Sequence, residues 1–258
     1  MRTIVVANQK GGCAKTTTVV NLAAALAEIG KKILVIDLDP QANATQWLSG
    51  DGSKGGAYGL MIEEGPIDNF IGNTSIENVK IICATQELSY LERALAGRVA
   101  SDSILSRRIS CLKEDDWDFV LIDTPPTLGI VTLNALSCAN ELLIPVTTHI
   151  LTLSGVAQLM STVEAVKKLL NPGIQILGFL PSRVDQRTRH SGEVLDLLME
   201  EFGDLVLKTT VRESVRIAES PSFQAPILKY DGASGAAADY RSLAREVLGF
   251  SVEEGHRQ

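Results

Sequence analysis

Short unbroken apolar runs alternate along this chain with longer stretches in which apolar residues return every three or four positions. The runs Thr3–Ala7, Ile33–Asp37, Val79–Cys83, Phe119–Asp123, Leu142–Val146, Ile174–Leu180 and Leu205–Lys208 have the length and Val/Ile/Leu content of buried strands. Between most of them the period is helical. Thr16–Ile29 puts Leu22, Leu26 and Ile29 on one face, and Val156–Leu170 does the same with Val156, Leu159, Val163, Val166 and Leu170. This alternation predicts an α/β fold: a doubly wound, mostly parallel twisted sheet of seven or eight strands with helices on both faces. Ser49–Gly72, rich in glycine and polar residues, reads as an extended loop with a short helix. Gly232–Ala238 leads into a last helix ending near Leu248, and the polar tail Ser251–Gln258 reads as frayed. No repeat or low-complexity linker divides the chain, so residues 1–258 read as a single domain.

Composition narrows this picture only a little. Hydrophobic residues make up 45% and charged residues 21%, ordinary for a soluble protein, while the 5% of aromatics suits a parallel sheet packed with aliphatic side chains. A net charge of -7 argues against wholesale electrostatic capture of nucleic acid but allows a local basic patch. Cys13, Cys83, Cys111 and Cys138 are far apart and form no C-x-x-C, so they read as reduced cytoplasmic thiols. The apolar start Thr3–Ala7 is cut short by Asn8, Gln9 and Lys10, unlike a signal peptide. Leu142–Val163 contains no Asp, Glu, Lys or Arg, but Pro145, Thr147, Thr148, His149, Ser154, Gly155 and Gln158 interrupt it. It reads as a strand, a loop and a buried helix, with no membrane partner.

The chemistry concentrates where the first strand meets the first helix, at Asn8-Gln9-Lys10-Gly11-Gly12-Cys13-Ala14-Lys15-Thr16-Thr17. A glycine-rich turn between strand and helix is the setting of a phosphate-binding loop. Glycines allow backbone N–H groups to wrap phosphate oxygens. Lys15 brings positive charge to the β- and γ-phosphates, Thr16 offers a hydroxyl to Mg²⁺, and the helix N-terminus adds a favourable dipole. The general G-x-x-x-x-G-K-[ST] pattern fails, because Gln9 and Ala14 stand at the two glycine positions. If position 14 needs φ > 0, alanine there costs on the order of 1 kcal/mol.

Two other predicted strands end in carboxylates, Asp37 followed by Asp39 and then Asp123. In a parallel sheet these ends lie along the edge where the phosphate loop sits, and ligands bind at that edge. Asp123 takes the position of an aspartate that holds Mg²⁺ directly or through water, since Mg²⁺ needs only one or two protein carboxylates. Asp37 and Asp39 alternate sides if the strand continues that far, so only one of them points directly at the nucleotide.

The loop resembles the K-G-G-x-x-K-T-T variant of the ParA/MinD superfamily, whose additional lysine corresponds to Lys10. Further segments, KKILVIDLDPQANATQWL, WDFVLIDTPPTLGIVTLNAL, ELLIPVTTHILTLSGVAQL and, more loosely, TVRESVRIAESPSFQAPILKYD, extend the resemblance to ParA/Soj-type partition ATPases over nearly the whole chain. That resemblance implies an ATPase using ATP and Mg²⁺, in which Lys10, Gly11, Gly12, Cys13, Ala14, Lys15, Thr16 and Thr17 hold the nucleotide. It implies Asp39 as the residue that positions the attacking water, Asp37 near the metal shell with Thr16 and Asp123, and Arg183-Val184-Asp185 as a base-binding loop. Two ATP-bound protomers would form a homodimer, with Lys10 reaching the partner's phosphates and Gly11 leaving room for the approach. The dimer would bind double-stranded DNA non-specifically through Arg212 and Arg216, on the nucleoid, until a ParB-type partner stimulates hydrolysis. Arg212 and Arg216 reach adjacent phosphates if they share a helix face at i and i+4. Arg107-Arg108 reads as a solvated helix face. His149 and Ile150 replace an acidic-aromatic pair and receive no role.

Three alternatives share parts of this pattern. A relative that positions a protein cluster or microcompartment differs only in its partner. A membrane-bound MinD-type regulator needs a basic amphipathic C-terminal helix, whereas the end here reads SVEEGHRQ. A nitrogenase-iron-protein-like redox enzyme needs a cluster cysteine after the second acidic strand, and Thr124–Gly129 has none.

Overall fold

The computed structural model describes residues 1–51, 55–148, 153–185 and 187–249. His149 and Ile150, and the tail after residue 249, lie outside them. The first half runs β1 (Arg2–Val6), α1 (Lys15–Glu28), β2 (Ile33–Asp37), α2 (Asn43–Trp47), α3 (Gly56–Ile62), β3 (Gly72–Asn73), β4 (Val79–Ile82), α4 (Leu91–Leu95), α5 (Ile104–Ile109) and β5 (Phe119–Asp123). The second half continues with α6 (Ile130–Cys138), β6 (Glu141–Thr147), α7 (Leu153–Leu169), β7 (Gln175–Val184), α8 (Arg189–Phe202), β8 (Val211–Arg212), α9 (Val215–Glu219), α10 (Ile227–Tyr230) and α11 (Gly235–Gly249).

The sheet has eight strands in the order β3-β4-β2-β5-β1-β6-β7-β8. Only the short edge strand β3 is antiparallel, with Gly72 opposite Ile81. Strand β1 is central, and the chain leaves it towards β2 on one side while β6 flanks it on the other. That reversal opens a crevice at the carboxyl edge of the sheet.

Alternation along the strands supplies both faces. Val5, Leu34, Ile36, Val120 and Ile122 pack beneath the layer built from α3 to α8. Ile4, Val6, Ile33, Val35, Phe119 and Leu121 pack with α1, α2, α10 and α11 on the other face. By the same period of two, Asp37 and Asp123 fall on the α1 side of the sheet. Burying apolar side chains on both faces is what drives the layers together, at roughly 25 cal/mol per Å² of apolar surface.

The last predicted strand sits elsewhere. Gly203–Leu205 forms a 3₁₀ turn, Val206 makes an isolated bridge with Phe179, and the eighth strand is Val211–Arg212. Leu207 is the reason the apolar run misleads, because it packs over Gly178, where a Cβ would lie 2.6 Å from its side chain. The loop Ser49–Gly72 holds the short helix α3 and a 3₁₀ turn at Ile67–Phe70. Among the described residues no helix is long and apolar enough to cross a membrane.

Candidate nucleotide site

Strand β1 runs out at Val6, and the chain turns through residues 8–14 before α1 begins at Lys15. Asn8 anchors the turn. Its Nδ2 donates to the Pro145 carbonyl on β6 at 2.7 Å, and its Oδ1 accepts from the Lys10 N–H at 3.0 Å. Gly12 has φ +72°, and Ala14, which caps α1, has φ 70° and ψ 26°. Position 14 therefore is left-handed, as the glycine-rich pattern implies, and alanine occupies it at a cost of roughly 1 kcal/mol. No side chain caps α1 and its first turn has no acidic residue, so its free N–H groups and positive end face the loop.

Lys15 is buried, and its Nζ donates to the Lys10 carbonyl at 3.4 Å. The ammonium is thus folded back across the loop. Cys13 is also buried, with Sγ 4.0 Å from Lys15 Nζ, and burial raises its thiol pKa. A Cβ added at Gly11 or Gly12 would meet nothing within 4 Å, so both face open space.

The strand-end acids differ sharply. Asp37 and Asp123 are register partners on β2 and β5, and both are fully buried. Asp37 Oδ2 accepts from Thr45 N at 2.9 Å and Thr45 Oγ1 at 2.8 Å, while Oδ1 accepts from Asp39 N at 3.1 Å. Its pKa is nonetheless pushed up to about 6, by burial first. Neither oxygen of Asp123 has a partner of good hydrogen-bond geometry, although the Thr16 hydroxyl is near enough to favour its charged form. Burial lifts the Asp123 pKa well above the carboxylate range, and the Asp37 charge adds to that, while the Thr16 hydroxyl and the Lys15 ammonium pull it down. Asp39 lies beyond the end of β2, where its Oδ1 accepts from the Gln41 N–H at 3.0 Å.

A cleft of about 310 Å³ opens beside the loop, lined in part by Gly12, Ala14, Thr17, Arg183, Glu213 and Tyr240. Arg183 has φ 55° at the end of β7, and its guanidinium is held by Glu213 at 2.8 and 3.1 Å. The Asp185 carboxylate accepts from the Arg187 guanidinium at 2.9 and 3.0 Å. A larger hollow of about 620 Å³ lies at the opposite edge, where β2 and β4 begin, and has no part in this site.

The comparisons bear directly on this arrangement. A family model described as an AAA domain matches residues 1–176. The chain is 38% identical over 246 residues to the sporulation initiation inhibitor protein Soj of Bacillus subtilis, covering 95% of this chain and 97% of that one. It is 39% identical over 248 residues to the chromosome-partitioning ATPase Soj of Thermus thermophilus, covering 96% of each. It belongs to the Soj/ParA family of partitioning ATPases. Among solved structures, cobyrinic acid a,c-diamide synthase of Mycobacterium smegmatis, with bound ATP analogue and magnesium, superimposes with a TM-score of 0.83 at 33% identity. That match covers 96% of this chain and 94% of the other.

For a Soj/ParA ATPase the two arginines nominated for DNA are placed unexpectedly. Arg212 and Arg216 do not share a helix, because Arg212 lies on β8 and Arg216 on α9. Parallel pairing of Arg212 with Val184 and the bond from Glu213 N to the Val184 carbonyl hold that segment extended. Both carry counter-ions: Asp239 clasps Arg212 at 2.7 and 2.8 Å, and Arg216 meets Glu219 at 3.3 Å and Asp231 at 3.6 Å. The sequence reading passed over Thr45 and Glu213. Thr45 lies eight positions beyond Asp37 and bears no local motif, and Glu213 meets Arg183 only once β7 and β8 pair.

Proposed function

We propose that this partitioning ATPase works as a nucleotide-switched homodimer that binds double-stranded DNA non-specifically on the nucleoid and is released when a ParB-type partner stimulates hydrolysis. ATP and Mg²⁺ are its cofactors. The observation that carries the nucleotide half is the buried carboxylate of Asp123, without a donor of good geometry, beside Thr16 and Lys15 at the start of α1. A buried acceptor without a donor is costly unless a cation or proton meets it. The donor set fits Mg²⁺, a hard ion that takes oxygen ligands and keeps several waters. Among the described residues no three carboxylate, thiol or imidazole groups form a metal-binding cluster. Asp123 and the Thr16 hydroxyl would therefore hold the ion with water, and Asp37, whose oxygens are taken by Thr45 and Asp39, would act on it from behind. The ion supplies charge neutralisation at the phosphates.

Residues 10–17 wrap the phosphates, with Lys15 leaving the Lys10 carbonyl for the phosphate oxygens. Lys10 reaches the phosphates of the partner protomer, and Gly11 leaves room for that approach. Asp39 orients a water for in-line attack, so the γ-phosphoryl group passes from ADP to water and yields ADP and phosphate. The cleft bounded by Arg183 and Glu213 receives the base, with Asp185 shaping the loop through Arg187. Arg212 and Arg216 contact DNA phosphates once freed from their carboxylates.

The test is a gel shift with random duplex DNA and three samples: no nucleotide, ADP, and ATP with Mg²⁺. Retention only with ATP supports the DNA-bound switch. Equal binding in all three, or none in any, removes it and leaves an ATPase that acts on a different cargo.

A further inference from the structure

On the α3–α5 side of the molecule, away from the phosphate loop, lies a hollow of about 430 Å³ whose lining includes Met61, Arg98, Val99, Arg107, Arg108 and Cys111. Its three arginines, like Arg93, Arg189 and Arg245, meet no carboxylate among the described residues. Arg2, Arg183, Arg187, Arg212, Arg216 and Arg241 are each met by a carboxylate within 4.0 Å. The three arginines of the hollow have only neutral partners or none among the described residues. Arg108 donates through Nε to the Leu60 carbonyl at 2.9 Å and through Nη1 to the Gly65 carbonyl at 2.6 Å, and it stands over the Phe70 ring at 5.9 Å. Arg107 donates to the Ala100 carbonyl and, at 3.0 Å, to Ser103 Oγ. Arg98 is exposed with no side-chain hydrogen bond among those described. Carbonyl partners fix a guanidinium in place without cancelling its charge. Glu64 is the one carboxylate that lines the hollow, so three positive groups face one negative group.

The exposed apolar group is Val99, 93% exposed on the loop between α4 and α5, while the partly buried Ile104 and the buried Met61 form the floor as the edge of the core. The loop is held in shape. Gly97 has φ 77° and Ala100 φ 53°, and the Arg107 guanidinium grips the Ala100 carbonyl at the turn. A non-glycine residue in the left-handed region persists where its surroundings over-determine it. The result is a surface with exposed Val99 beside a positive rim, in which Arg107 and Arg108 are held by carbonyls and Arg98 is free to turn, in a chain whose net charge is -7.

We propose that this hollow is a docking site for an acidic amphipathic segment of a partner protein, with an apolar side chain seated against Val99 and Ile104 and carboxylates bridging Arg98 and Arg107. The proposal stands apart from the nucleotide site. Apolar contacts with charged flanks match helix-in-groove recognition. Duplex DNA fits less well, because Val99 and Ile104 would gain nothing from a phosphate backbone and Glu64 would face it.

The probe is a panel of synthetic helical peptides with Leu on one face and Glu on both flanks, with Lys-flanked copies as controls. Anisotropy measures their binding to the full chain, and ATP hydrolysis is followed in parallel. Mass spectrometry maps N-ethylmaleimide alkylation of Cys111, an exposed thiol at the rim. Arg98→Glu and Val99→Asp change exposed side chains, so folding and basal hydrolysis stay as in the parent. The expected result is binding of a Glu-flanked peptide, a loss of at least about ten-fold in each variant, and slower alkylation of Cys111 with peptide present. The proposal is overturned if no peptide binds, if both variants bind as the parent does, or if random duplex DNA protects Cys111 and the peptides do not. Loss of hydrolysis with peptide binding intact would count against the nucleotide reading alone.

Discussion

Asp37 and Asp123 stand opposite one another in the register of β2 and β5, yet Asp37 accepts three hydrogen bonds and Asp123 accepts none of good geometry. The Asp37 charge raises the Asp123 pKa, and the carboxylate with donors is the one that can ionise at modest cost. The pair therefore divides its work. Asp37 ties the turn carrying Asp39 to α2 through Thr45, and Asp123 is left without such donors, which is why we propose it as the residue that meets the cation.

Replacing Asp123 with Asn should stabilise the nucleotide-free protein. Its folded pKa is raised above the unfolded value, so the stability it contributes is complete at low pH and is lost as pH rises towards the folded pKa. Asp37 adds the same trend as pH rises through about 6. Urea melts across that range should slope downward for the parent and less steeply for Asp123→Asn. The same variant should lose the Mg²⁺ dependence of ATP binding. An unchanged Mg²⁺ titration would remove Asp123 from the metal site.

Thr45→Val should be costly despite its conservative shape. Thr45 Oγ1 donates to Asp37 and accepts from Ala84 N at 2.9 Å. Removing it takes one of two donors from Asp37 Oδ2, which keeps the Thr45 N–H, and leaves the Ala84 N–H unpaired, about 2 kcal/mol in total. Chemical denaturation measures this, and ATP turnover should fall with it because the Asp39 turn loosens. A variant as stable and active as the parent would show that Asp37 needs no such anchor.

Ala14→Gly should relieve a left-handed alanine and add up to about 1 kcal/mol of stability, less whatever backbone entropy glycine gains on unfolding. A lower midpoint in denaturant would show that the surroundings, not the backbone, set the conformation of residue 14.

Lys15→Ala should weaken ATP binding by at least about 100-fold in a fluorescent-nucleotide titration, since a buried charge-assisted contact to phosphate is lost. Asp39→Ala should instead keep ATP affinity and accumulate an ATP-bound dimer by light scattering. A monomer under those conditions would contradict the switch.

Asp239→Asn should release Arg212 and tighten ATP-dependent DNA binding, while Arg216→Glu should weaken it without changing nucleotide affinity. Affinity should also fall steeply with salt in the parent. If Arg216→Glu titrates DNA as the parent does, the contact lies elsewhere.

Much of this was legible in one dimension. Six of the eight strands announce themselves as short, mostly apolar runs, because strands buried on both faces need little polar alternation. The phosphate loop is equally local: Lys10 to Thr17 are contiguous, and a strand, a glycine turn and a helix suffice to shape them. Even the strain at Ala14 follows from the pattern, since the glycine position demands a positive φ. Tertiary structure alone decided the rest. The β3 edge has two residues, too few for a periodic signal, and β8 is short because its pairing with β7 is interrupted by a register shift at Arg183. Which aspartate is satisfied depends on Thr45 arriving from α2. Whether an arginine is free depends on carboxylates brought from distant elements, as Asp239 on α11 meets Arg212 on β8. Burial and charge pairing are properties of neighbours in space, and a chain states its residue types in order without stating which of them the packed layers will bring into contact.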